Sequence, residues 1–103
     1  MKIIQFILFI LVFLFSTNLK SDEVLIKGKL IFLNTGNCAA CHSLKDAGSN
    51  GMIGPNLNEI RPDIERVKNA VTNGIGVMPA YLGILSNEEI DAVSYYVSES
   101  ANN

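Results

Sequence analysis

Both cysteines and the single histidine of this 103-residue chain fall within five residues, Cys38-Ala39-Ala40-Cys41-His42. A chain so sparing of these residue types commits its fold to whatever that cluster binds. Four chemistries are open to it. A structural zinc site takes four ligands, mostly Cys and His, and only three such residues exist here. A redox-active dithiol of thioredoxin type sits beside a βαβ unit, and no stretch alternates apolar and polar residues as a half-buried strand does. A disulfide across two intervening residues closes too short a loop to stabilise much. The dithiol and the disulfide also leave His42 unused. A covalent haem employs all three residues. The thiols of Cys38 and Cys41 add across its two vinyl groups to form thioethers, and His42 then falls under the iron as an axial ligand. One haem c per chain is the expectation.

The N-terminal 21 residues read as a secretory signal peptide. Met1 and Lys2 open it with positive charge, and Phe6 to Phe13 are all Ile, Leu, Phe or Val. The apolar run is shorter than the roughly 18 residues a spanning helix needs. No clean small-residue cleavage pattern follows, so an uncleaved N-terminal anchor is the second reading. Covalent haem attachment takes place outside the cytoplasm, which agrees with a periplasmic protein, membrane-associated only if the leader is retained. Residues 22–103 then form one domain, in which six Lys/Arg face ten Asp/Glu, a net charge of 6 − 10 = −4. An acidic domain is not a nucleic-acid binder, because phosphate binding needs a basic face. A domain this small has a thin core and ordinarily needs a staple such as a metal or a prosthetic group.

Three stretches carry helical periodicity. In the first, Leu25, Gly28 and Phe32 fall on one face behind Asp22 and Glu23. The second opens with Pro62 as a first-turn residue, repeats Ile64, Val67 and Val71, and stops at Gly74. The third begins at a Ser86/Glu89 capping box and stripes Ile90, Val93 and Val97, with Tyr96 beside them. The rest is Gly-rich loop without a sheet. The expected fold is all-α, with long loops wrapped around a large buried ligand.

A haem with two strong axial ligands carries electrons, whereas an open iron position serves catalysis or gas binding. With no second histidine, the other ligand would be a methionine. Met52 lies ten residues after His42 in a Gly-rich loop; Met78 lies further on, with Gly74 and Gly76 before it and Pro79 after it. A methionine in a small domain is as readily a flexible core filler, so the loop context leaves the choice open.

The pattern resembles the small bacterial class I c-type cytochromes, over nearly the whole of residues 22–103. Gly28 and Phe32 match their first-helix Gly-x-x-x-Phe/Tyr, Cys38 to His42 their attachment motif, and Gly54-Pro55-Asn56-Leu57 their Gly-Pro-Asn-Leu loop. Met78 to Tyr81 match Met-Pro-Ala-Tyr/Phe, and Tyr96 the aromatic of the last helix. The resemblance implies a cytochrome c fold of three main helices plus short ones. It implies that Gly28 lets the first helix cross the last, that the Pro55 carbonyl accepts the Nδ1–H of His42, that Leu57 packs on the haem, and that Met78 is the second iron ligand. Phe32 and Cys38 stand further apart than in the shortest members, and "LNTGN" is expected to absorb this as an extra loop turn.

His/Met ligation favours ferrous iron relative to two nitrogen ligands. A pocket of Phe32, Ile53, Leu57, Val71, Val77 and Leu82 would act in the same direction. The expected function is a monomeric, non-enzymatic electron carrier that docks weakly and transiently on redox protein partners around an exposed haem edge. The alternative is a peroxidase-like enzyme or ligand sensor in which Met78 dissociates.

Overall fold

A computed structural model describes residues 20–103; the expected leader lies outside the described residues, apart from its last two. Helix α1 covers residues 20–30 and runs without a break into a π-helical turn, Ile31–Thr35. That turn is where the extra length before Cys38 goes. The amide of Gly36 reaches back five residues to Ile31 O at 2.7 Å, so the insertion widens the helix instead of forming the loop expected from sequence.

After the turn come a short 3-10 turn at Cys38–Ala40 and a two-residue antiparallel pair. Strands β1 (Ser43–Leu44) and β2 (Ser49–Asn50) enclose a second 3-10 turn, Lys45–Ala47. This small ladder is strand structure that the sequence did not suggest, because two residues are too few to show alternation. Helix α2, Leu57–Ile60, follows; Asn56 caps it by accepting from the amides of Asn58 and Glu59. Helix α3, Ile64–Asn73, is capped by Asp63, whose side chain accepts from Arg66 N at 2.8 Å. Pro62 therefore stands before the cap, not in the first turn. Helix α4, Asn87–Ala101, starts at the expected capping box, with Ser86 and Glu89 each bonding the other's backbone.

The core forms where α1, α3 and α4 meet. Phe32 is 1% exposed and meets Tyr96 edge to face, with ring centroids 5.9 Å apart and planes at 62°. Such a pair contributes about 0.5–1.5 kcal/mol beyond burial. The crossing depends on Gly28. A Cβ there would stand 2.3 Å from Ala92 O and 2.5 Å from Tyr96 Cβ, so α1 reaches α4 only with a bare Cα. Val67 and Val71 of α3 pack toward Val93 and Val97 of α4, all buried. Ion pairs link the helices outside this core: Lys27–Glu88 at 3.4 Å and Lys68–Asp91 at 2.9 Å. With all four side chains well exposed, they add little. No helix among the described residues is long and apolar enough to cross a membrane.

Candidate haem site

The helices leave a cavity of about 310 Å3 between the Cys38–His42 turn on one side and α3 with its following loop on the other. Cys38, Cys41, His42, Pro55, Leu57 and Met78 all line it. These are the six residues singled out from sequence, and the fold brings them together from three separate segments.

His42 is held from two directions. Its Nδ1 donates to Pro55 O at 2.8 Å, since a carbonyl can only accept, which leaves Nε2 with a free lone pair. Gly54 lies flat against the ring. A Cβ on Gly54 would come within 2.5 Å of Cε1, 2.8 Å of Nδ1 and 2.9 Å of Nε2. The Gly-Pro-Asn-Leu loop thus fixes both the tautomer and the plane of the imidazole, while its Asn56 starts α2 and its Leu57, 7% exposed, enters the wall.

No disulfide joins Cys38 to Cys41. Before haem attachment, burial pushes the Cys38 thiol up to about 11, because an apolar wall disfavours the thiolate. Among the described residues, no group of three or more His, Cys, Asp or Glu side chains could hold a metal ion, so a protein-only zinc site finds no ligand set.

The two methionines divide cleanly. Met78 is partly buried and lines the cavity, whereas Met52 is 93% exposed and does not. Of the six expected pocket residues, Phe32, Ile53, Leu57, Val71 and Val77 line the cavity. Leu82 does not. It is 63% exposed, because the chain turns outward after Tyr81. Arg66 is the one formally charged side chain in the lining, and no sequence pattern singles it out. An arginine on an amphipathic helix looks like any solvated residue until the helix is placed.

The fit to a haem follows from this donor set. Two thiols, one imidazole with a free nitrogen and one thioether face a space otherwise walled almost entirely by apolar groups, as a large flat apolar cofactor with a metal at its centre requires.

Residues 25–97 match the family model described as cytochrome C oxidase, cbb3-type, subunit III. The cytochrome c6 of Cladophora glomerata is 36% identical over 92 residues, covering 79% of this chain and 93% of its own length. That of Gracilaria tenuistipitata var. liui is 34% identical, covering 95% of this chain and 94% of its own. Among solved structures, the c-type cytochrome SorU from Sinorhizobium meliloti superposes with a TM-score of 0.73 at 54% identity, over 78% of this chain and 93% of that one. Like these relatives, the chain carries a covalently bound c-type haem and is a small electron carrier, not an enzyme. It belongs to the cytochrome c family as a small monohaem class I c-type cytochrome.

Proposed function

We propose that Cys38 and Cys41 hold the haem through thioethers, that His42 and Met78 are its axial ligands, and that Pro55 and Leu57 complete the pocket. The observation that carries this reading is the convergence of His42, already oriented by Pro55 O at 2.8 Å, and Met78 on one apolar cavity that both cysteines also line. The haem supplies a one-electron ferric/ferrous couple, and the chain's own residues set its conditions. The bond from His42 to Pro55 fixes the tautomer of the imidazole and leaves Nε2 free to bind a metal. The apolar lining of Phe32, Val67, Val71 and Val93 keeps water away and disfavours the extra charge of ferric iron. Both ligand-bearing segments are in place within one fold, so a change of redox state needs little rearrangement.

As an electron carrier the chain docks redox partners. The docking face in this reading is the rim of the cavity, where Ile53, Ile75 and Val77 are 71%, 67% and 88% exposed. From Gly74 to Ser86 the sequence holds no charged residue, so contact there is apolar, small and short-lived. The protein acts as a monomer without nucleic acid. Export to the periplasm rests on the apolar character of residues 1–21, with residues 22–103 as the functional domain; a retained leader would tether it to the membrane.

Methionine substitution tests the ligand set. The ferric Met78→Ala protein should lose the far-red sulfur-to-iron charge-transfer band, and its ferrous form should bind carbon monoxide rapidly, while Met52→Ala behaves like the parent. The reverse result would assign the sulfur to Met52, and a carbon monoxide-reactive parent would favour the enzyme or sensor alternative.

A further inference from the structure

Met78 sits in the segment between α3 and α4, and that segment is tied mainly to itself. Ile75 N donates to Met78 O at 3.1 Å and Met78 N to Ile75 O at 2.9 Å, which closes one tight turn. Ile84 N and Leu85 N both donate to Tyr81 O at 2.9 Å, which closes another. The bond from Tyr81 N to Val71 O, 2.8 Å, holds the segment to α3.

Across the crevice the connection is much thinner. Among the described residues, one hydrogen bond joins the Met78 segment to the half that carries Cys38, Cys41 and His42. The hydroxyl of Tyr81 donates to Gly36 O at 2.6 Å, over 45 residues of sequence. Gly36 is buried two residues before Cys38, and its amide is already committed to the π turn through Ile31 O. The Tyr81 ring lines the cavity beside Met78. Burial raises the phenol above its ordinary value, so the hydroxyl is a donor at neutral pH.

We propose that the Tyr81 hydroxyl is a clasp across the haem crevice: by holding Gly36 O it keeps the Met78 segment closed and sets how readily an outside ligand displaces the methionine sulfur. Tyr81 is on this view a positioning residue, and the inference rests on Met78 being an axial ligand. Removing the hydroxyl keeps the ring's packing but leaves a buried carbonyl without its partner, so the closed state loses an advantage that the open, wetter state never had. The opening is selective because the remaining hydrogen bonds of the segment are internal or run to α3, and survive it.

The test uses the haem-loaded ferric protein, titrated with imidazole at neutral pH while the far-red charge-transfer band is followed. Tyr81→Phe should bind imidazole about fivefold more tightly than the parent, the equivalent of one net hydrogen bond. Tyr96→Phe is the control. It removes a hydroxyl bond of the same 2.6 Å length, to Asp46 Oδ2, without touching the Met78 segment, and should leave imidazole affinity unchanged. A Tyr81→Phe protein with a lower unfolding midpoint but parental imidazole affinity overturns the clasp. So does an equal gain in Tyr96→Phe, which would mean general loosening. Met78→Ala separates the two levels of the claim. If it binds imidazole no more tightly than the parent, the sulfur assignment fails and takes the clasp with it. If it binds tightly and Tyr81→Phe does not, the clasp alone is wrong.

Discussion

On the wall of the crevice that holds His42, side chains repeatedly bond to backbone; on the wall that holds Met78, the backbone bonds mostly to itself. Ser49 Oγ donates to His42 O at 2.8 Å and accepts from Leu44 N at 3.1 Å. Asn58 Oδ1 accepts from Lys45 N at 2.7 Å, and Gly54 N donates to Cys41 O at 2.8 Å. Leu44 is fully buried beneath this network. Opposite, Ile75, Val77 and Ile84 are each at least two-thirds exposed, as Met52 and Ile53 are at the rim of the His42 wall, so the walls differ in their bonding and not in their exposure. Under the proposed ligand set, the contrast gives the two ligands different tasks. One wall would fix the haem and its imidazole, and the other would present a sulfur that is held in place but open to displacement. Local opening starts where few buried contacts oppose it.

The largest effect should come from breaking the rigid wall. Gly54→Ala forces a methyl group into the His42 ring, and the ring cannot retreat without losing Pro55. Chemical denaturation of the haem-loaded variant should show a loss of about 1–3 kcal/mol, the usual cost of overpacking. On the opposite wall Ile84→Ala, at an exposed position outside the cavity lining, should stay within about 0.5 kcal/mol of the parent. Equal losses at the two sites would erase the contrast.

A smaller effect sharpens it through pH. The hydroxyl of Tyr96 donates to Asp46, with Lys29 3.4 Å from the same oxygen. That hydrogen bond first, and Lys29 after it, holds the Asp46 carboxyl below its usual value of 3.8. A depressed carboxylate contributes stability that is fully present above the unfolded value and is lost as pH falls through the folded one. The parent should therefore lose part of its unfolding midpoint below about pH 4, and Tyr96→Phe should show a shallower acid limb. Because Asp46 is half exposed, solvent screens the effect and keeps it modest. An identical acid limb in both proteins would remove Asp46 from the rigid wall's supports.

The same division marks what could be read from sequence. Cys38 to His42, the Ser86/Glu89 box and the Gly28 crossing rest on local spacing or on a residue with no side chain, and all were legible. The capping of α2 by Asn56 was signalled by Glu59 three residues on, but a four-residue helix gives no periodicity to find. Pro62 slipped outside its helix because Asp63, a stronger cap, stands next to it. The π turn was hidden because its extra residue changes a hydrogen-bond register, not a pattern of residue types. Leu82 reads as a pocket residue by its hydrophobicity, although only the path of the chain decides which apolar side chains turn inward. The Lys45–Asn58 and Gly36–Tyr81 bonds join residues 13 and 45 apart, and nothing local announces either.

In the proposed arrangement a covalently held haem spans the two walls, with His42 on one side and Met78 on the other. The absorption spectrum of the purified ferric protein tests it most directly, recorded before and after acidic solvent extraction. Haem should stay with the polypeptide on extraction, and the native protein should show a far-red sulfur-to-iron band. Haem released into the solvent, or a retained haem with a high-spin spectrum lacking that band, would contradict it.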